Sequence, residues 1–104
     1  MPEIPRLKAE FFKALSHPLR IRVLELLTED EHTVSELQEA TGVEQSSLSQ
    51  QLGVLRRAGF VDSHRAGSSV TYTLADERVG ELLALSRRML LDRHTASRDE
   101  LERA

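Results

Sequence analysis

The stretch Gln45-Ser46-Ser47-Leu48-Ser49-Gln50-Gln51-Leu52-Gly53-Val54-Leu55-Arg56-Arg57-Ala58-Gly59 holds two patterns in one helix. Leu48, Leu52 and Leu55 stand at i, i+4 and i+7, a spacing that gathers them on one face. The segment predicts a helix from Glu44 or Gln45 to about Ala58, stopped by Gly59, which suits a left-handed helix end. The other face carries Gln45, Ser46, Ser49, Gln50 and Gly53. That face is polar yet nearly uncharged, where an exposed helix usually carries Glu and Lys. Glutamine can pair with N6 and N7 of adenine, and a serine hydroxyl donates or accepts, so the face suits contact with base edges. Taken alone, the helix leaves an ordinary polar face open as the other reading.

Upstream, Gly42 permits the positive φ of a tight turn. Thr33-Val34-Ser35-Glu36 fits a capping box and opens a short helix, about 34–40. The charged run Glu29-Asp30-Glu31 reads as a solvated loop, with His32 inside it. Before it, Leu19, Val23, Leu24 and Leu27 form the stripe of a helix that starts at Pro18, whose missing N–H suits a first turn. Ser16-His17-Pro18 ends a first helix, roughly 5–15, with Ile4, Leu7, Phe11 and Leu15 at helical spacing. His17 reads as a structural residue of that turn.

Downstream, Phe60 to Arg65 and Ser69 to Leu74 are two strand-like runs around Ala66-Gly67-Ser68, a β-hairpin. Val70, Tyr72 and Leu74 alternate, which predicts one buried face. Asp76 is placed to cap a long last helix with the stripe Val79, Leu82, Leu83, Ser86, Met89 and Leu90. After Arg93 the chain is polar. Residues 1–94 therefore read as one domain and 95–104 as a frayed polar tail.

The predicted order is α-α-α-α-β-β-α: mainly α with a small hairpin wing, a winged helix-turn-helix. The hairpin directly after the helix strengthens the DNA reading of its outer face, with Gln45, Ser46, Ser47, Ser49 and Gln50 as contact residues. Arg65, beside His64 at the hairpin tip, suits phosphate or the minor groove; the plainer reading is a solubilising side chain. Arg56 and Arg57 suit backbone phosphates, or else the carbonyls at the helix end. The net charge of −3 argues weakly against nucleic acid, but its distribution matters more. Residues 45–74 hold Arg56, Arg57 and Arg65 against the single acid Asp62, while Glu29, Asp30, Glu31, Glu36, Glu39 and Glu44 lie before them.

The 104 residues suffice for one domain with a thin core. Ile4, Leu7, Phe11, Leu83, Met89 and Leu90 offer more apolar stripe than such a core needs, so the first and last helices are expected to form a homodimer. With no cysteine, disulfides and thiolate metal sites are excluded. No 18-residue apolar run and no apolar leader core appear, so no membrane partner and a cytoplasmic location are expected. An enzyme is disfavoured: there is no Cys nucleophile, no evident carboxylate pair and no Gly-rich phosphate loop, and no cofactor is implied. A winged-helix protein-interaction module without DNA binding is the competing class; it would favour an acidic recognition face.

Ala14-Leu15-Ser16-His17-Pro18-Leu19-Arg20, the run from Ser47 to Gly59 and the hairpin end Val70-Thr71-Tyr72-Thr73-Leu74 together resemble the ArsR family of bacterial regulators. The likeness covers about Phe11 to Leu91. It implies a homodimer built on the first and last helices, an imperfect inverted repeat of double-stranded DNA as operator, and release by a small inducer, often a metal ion. Two departures stand in the recognition helix: Gly53 where relatives often carry Lys, implying a missing phosphate contact, and Gln51 where they often carry His. Thr33-Val34-Ser35 matches the metal-sensing members' Cys-Val-Cys, and Asp76-Glu77-Arg78 their Asp-x-His, with Met89 and Asp92 at the later positions. Neutral hydroxyls and a fixed guanidinium are poor ligands, so no metal site of the family type is expected. Asp92 and His94 remain as weak candidates, and their spacing of two does not share a helix face. The inducer stays unassigned, with a metal ion or another regulatory protein both open.

Overall fold

Each early helix begins where a side chain or a proline takes care of a first turn that lacks backbone partners. A computed structural model describes residues 3–103: α1 (Ile4–Leu15), α2 (Pro18–Glu29), β1 (His32–Thr33), α3 (Val34–Thr41), α4 (Gln45–Arg57), β2 (Val61–Ala66), β3 (Ser69–Leu74) and α5 (Arg78–Arg103). Pro18 opens α2, and His17 caps it by accepting the Leu19 N–H on Nδ1 at 3.1 Å. The capping box of α3 is reciprocal. The Glu36 N–H donates to Thr33 Oγ1 at 3.1 Å, and the Thr33 N–H donates to Glu36 Oε1 at 2.8 Å. Gly42, at φ 70°, turns the chain from α3 into α4, the helix-turn-helix pair. Gly59, at φ 84°, follows α4 and lets the Phe60 N–H reach the Leu55 carbonyl at 2.9 Å.

The sheet corrects the expected element order. It has three antiparallel strands in the order β1-β3-β2, so a short strand stands between α2 and α3. His32, expected in a loop, pairs with Tyr72, and Thr33 pairs with Thr71. Two residues show no period of their own; the edge of β3 recruits them. The hairpin runs from Val61↔Leu74 to Ala66↔Ser69. Its two-residue turn, Gly67-Ser68, needs the positive φ that Gly67 supplies at 62°. The predicted single buried face of β3 is also corrected. Val70, Thr71, Tyr72, Thr73 and Leu74 are all half-buried, because β3 is the central strand and is flanked on both edges.

Among the described residues, twelve side chains form the core, drawn from every helix and from the start of the hairpin: Leu15, Val23, Leu24, Leu26, Leu27, Leu37, Leu48, Leu52, Leu55, Phe60, Val61 and Val79. The three leucines of α4 are buried completely or nearly so. Leu82 and Leu83 pack half-buried against this cluster, while Leu85, Met89, Leu90 and Leu91 are exposed. The helical backbone continues to Arg103, past the point where the packed stripe stops. A 26-residue helix is about 39 Å long, and it lifts the radius of gyration to 16.5 Å, above the roughly 13 Å of a compact chain of this length. Among the described residues no helix is long and apolar enough to cross a membrane.

Gly80 shows how closely α5 approaches α2. A Cβ built at that position would lie 2.6 Å from Thr28 Cγ2, well inside contact distance. Gly80→Ala should therefore destabilise the protein by about 1–3 kcal/mol through overpacking, although alanine improves helix propensity by roughly 1 kcal/mol. Adding Thr28→Ala removes the obstructing methyl and should recover most of the loss in thermal unfolding. A Gly80→Ala single variant that melts higher than wild type would contradict this packing.

Candidate nucleic-acid interface

Burial of Leu48, Leu52 and Leu55 leaves the opposite side of α4 outward. Gln45, Ser46, Ser47, Ser49 and Gln50 are all exposed there, and no carboxylate occurs between Gln45 and Arg57. Arg56 and Arg57 are exposed at the far end of the helix. Beside the N-terminal half of α4, a polar cleft of about 370 Å³ opens between α3, α4 and the hairpin. Thr33, Ser35, Gln38, Gln45, Ser49, Ser68, Ser69 and Tyr72 line it with hydroxyl and amide groups, and no acid takes part. His64 and Arg65 are exposed near the end of β2, next to the turn. The α4 face, the cleft and the hairpin tip thus form one surface rich in neutral hydrogen-bonding groups, with cations at its margins.

A link that sequence reasoning missed holds α4 in place. Arg20 Nε donates to Gln51 Oε1 at 2.7 Å, and Arg20 Nη1 donates to the Ala14 carbonyl at 3.0 Å. One half-buried guanidinium therefore ties the last turn of α1, the first turn of α2 and the middle of α4. Arg20 and Gln51 are 31 residues apart, so no local period announces the pair. The only sequence signal was the position of each residue in a stretch that carried the family likeness.

The residues that correspond to metal ligands in the resemblance are engaged in hydrogen bonds within the chain. The Thr33 hydroxyl is committed to the cap of α3. Asp76 accepts the Arg78 N–H at 2.9 Å, and the Arg78 guanidinium clasps both carboxylate oxygens at 2.7–3.2 Å. These hydrogen bonds, the guanidinium's first, hold the Asp76 carboxyl at about 2, below the usual carboxylate range. Glu36 is also lowered, chiefly by the Thr33 backbone N–H. Both carboxylates are depressed, so whatever they add to stability is present at neutral pH and is lost as pH falls through their folded-state values. Asp92 and His94 are exposed on α5. Among the described residues no three His, Cys, Asp or Glu side chains gather in a way that could hold a metal ion.

A second surface is apolar. Ile4 is 57% exposed, Leu7 44% and Phe11 39%, with Met89 and Leu90 at 50% and 54%. Phe12, Leu85 and Leu91, outside the expected stripes, are exposed too. Leu83 is instead half-buried against the core. Ile4, Leu7, Phe11, Phe12 and Leu82 line an open apolar hollow. One edge of it is anchored, since the Phe11 ring lies 5.0 Å from that of Phe60 in the core.

Comparison with known proteins agrees with this architecture. The helix-turn-helix domain family matches residues 15–64. The uncharacterized HTH-type transcriptional regulator Rv0081 of Mycobacterium tuberculosis is 55% identical over 86 residues, which cover 82% of this chain and 75% of the relative. Its crystal structure superposes with a TM-score of 0.80 at 49% identity, covering 94% of this chain and 98% of that one. The biofilm growth-associated repressor of Xylella fastidiosa is 40% identical over 75 residues, 72% of this chain and 66% of the relative. A solution structure from Mycobacterium bovis, described as a homodimeric winged helix-turn-helix DNA-binding domain of a possible ArsR-family transcriptional regulator, gives a TM-score of 0.74 at 32% identity. It covers 88% of this chain and 84% of that one.

The Arg20 link generates a prediction that separates support from contact. Gln51→Ala should cost about 1–2 kcal/mol of stability, and Arg20→Ala about 2–3 kcal/mol, since the arginine leaves two acceptors unpaired. Thermal unfolding measures both. Each variant should lower affinity for duplex DNA several-fold without altering base preference. A changed base preference in Gln51→Ala would move that side chain from the support to the reading surface.

Proposed function

The chain belongs to the ArsR family of winged helix-turn-helix, DNA-binding transcriptional regulators, and on that footing we propose that it binds as a homodimer to an imperfect inverted repeat, with α4 in the major groove. The observation that carries this reading is the acid-free outer face of α4, continuous with the hydroxyl-lined cleft and the hairpin tip. A groove admits a helix whose exposed side chains hydrogen-bond without repelling phosphates. Gln45 and Gln50 are assigned to base edges, with Ser46, Ser47 and Ser49 filling the same footprint. Arg56, His64 and Arg65 are assigned to the backbone, where they position the protein. An acidic partner-binding face would favour an interaction module; this face has no acid.

Residues 1–94 are proposed as the unit that carries both DNA binding and dimerisation. The exposed apolar side chains of α1 and α5 are its interface, with Ile4, Leu7, Phe11, Met89 and Leu90 at the contact and Leu83 bracing it from the core. The homodimeric description of the Mycobacterium bovis relative supports this. The name of the Xylella relative supports repression as the sign of control. The relatives are transcriptional regulators, and a regulatory rather than an enzymatic role in the cytoplasm, where the operator lies, accords with them. No cofactor is part of this proposal. A metal ion bound at Asp76 or Thr33 is not part of it either, because Thr33 is committed to the cap of α3 and Asp76 to Arg78.

Two measurements test the proposal. Gln45→Ala or Gln50→Ala should cost about 1–3 kcal/mol on the selected operator and relax base preference. Arg65→Ala should weaken all duplexes evenly and reduce the salt dependence by about one contact per protomer. Equal loss on every sequence in all three variants would refute base reading by α4. In light scattering the protein should have about twice the mass of the 11.7 kDa chain. Leu7→Glu should raise the dimer dissociation constant by about 100-fold or more, roughly 2.7 kcal/mol. A wild-type monomer at micromolar concentration would exclude the dimer.

A further inference from the structure

Gly53 sits in the interior of α4, where glycine weakens a helix relative to alanine, and its φ is ordinary. The backbone therefore does not require a glycine here. Its neighbour shows what the missing side chain permits. A Cβ at this position would lie 3.1 Å from Arg57 Nη1 and 3.8 Å from both Cζ and Nη2. The Arg57 guanidinium thus lies beside the space a side chain at position 53 would fill, one turn back along the helix. Position 53 follows Ser49 and Gln50 by four and three residues and Ser46 by seven, which puts them on one face. The guanidinium consequently lies within the neutral outer face of α4 and not beyond its end.

Two ordinary duties for Arg57 are already discharged or lacking. Three of the closing carbonyls of α4 have partners: Val54 accepts the Ala58 N–H at 3.0 Å, Leu55 accepts the Phe60 N–H at 2.9 Å and Arg56 accepts the Gly59 N–H at 3.1 Å. Arg57 is not needed as a cap. Among the described residues, the ion pairs are His32–Glu36 and Arg78–Asp76, so no carboxylate engages it. What remains is a planar, permanently charged fork of N–H donors, folded toward the middle of the proposed recognition helix. Guanine presents O6 and N7 as paired acceptors in the major groove, the arrangement a guanidinium fork matches.

We infer that Arg57 is a specificity-determining residue that reads a guanine in each half-site, in the space that Gly53 leaves free. The apparent gap at Gly53 is then not a lost contact, because the cation one turn later folds back to occupy it. This inference rests on the reading of α4 as the groove helix. The test is selection of binding sites from a random duplex pool by wild type and by Arg57→Ala, followed by affinities on single-base operator variants. Arg57 is exposed, so the variant should melt as wild type does. Wild type should select one strongly preferred guanine per half-site, binding it about tenfold or more better than other bases. In Arg57→Ala that preference should fall below about twofold, while the rest of the motif persists. If the variant selects the unchanged motif and loses only about one unit of salt slope per protomer, Arg57 is a phosphate contact and the inference fails while the groove reading stands. If wild type selects no motif, both fail.

Discussion

Three leucines on one side of a thirteen-residue helix decide what the other side is free to do. Three serines, a valine and an interior glycine weaken α4 as an intrinsic helix, and a helix this short is marginal in water. Full burial of Leu48, Leu52 and Leu55 supplies what propensity does not, since truncating such a leucine typically costs about 2–5 kcal/mol. The glycine-ended exit through Phe60 then fixes the helix length, and Phe60 is itself a core residue. With the fold secured from one face, the outer face carries no structural duty. Its amides and hydroxyls can be matched to a ligand instead of to a neighbour.

Position matters as much as presentation, and here one guanidinium joins the two surfaces. Arg20 holds the end of α1 through the Ala14 carbonyl and the middle of α4 through Gln51. Phe11 of α1 also packs on Phe60, just beyond α4. The helix proposed for the dimer contact is therefore tied to the helix proposed for DNA at two places, one polar and one aromatic. In a two-fold dimer the recognition helices must meet half-sites about one DNA turn apart. That spacing is only as well defined as the link between the dimer contact and α4. In this chain the Arg20 and Phe11 contacts supply that link.

What the sequence disclosed was what repeats or caps locally. The leucine stripe of α4, the reciprocal box at Thr33 and Glu36, the glycines at 42 and 67 and the Pro18 start are each read within a few residues of chain. What it hid depends on residues far apart. β1 exists because β3 has a free edge, so His32 could not be placed from its own neighbours. The half-burial of Thr71 and Thr73 follows from the central position of β3 and not from alternation. Arg20 and Gln51 were both visible, but the contact between them was not. Gly53 read as a missing cation because the one-dimensional pattern does not show which way Arg57 folds.

Helix caps also bear on how this regulator responds to signals. At Thr33 and at Asp76, the groups that correspond to ligands in metal-sensing members of the family hold the starts of helices. The Thr33 hydroxyl accepts the Glu36 N–H, and Asp76 accepts the backbone N–H and the guanidinium of Arg78. A cation seated at Asp76 would have to displace a guanidinium that cannot lose its proton. At Thr33 the two residues that correspond to thiolate ligands, Thr33 and Ser35, offer only hydroxyls, which are poor ligands for the metals concerned, and Glu36 beside them is already engaged by the Thr33 N–H. At Thr33 binding would remove a cap typically worth about 1 kcal/mol, and at Asp76 it would break the hydrogen bonds to Arg78; both would oppose folding. A site whose occupation competes with its own scaffold is a poor sensor. The residues at the starts of α3 and α5 that correspond to those ligands are thus already engaged by hydrogen bonds within the chain.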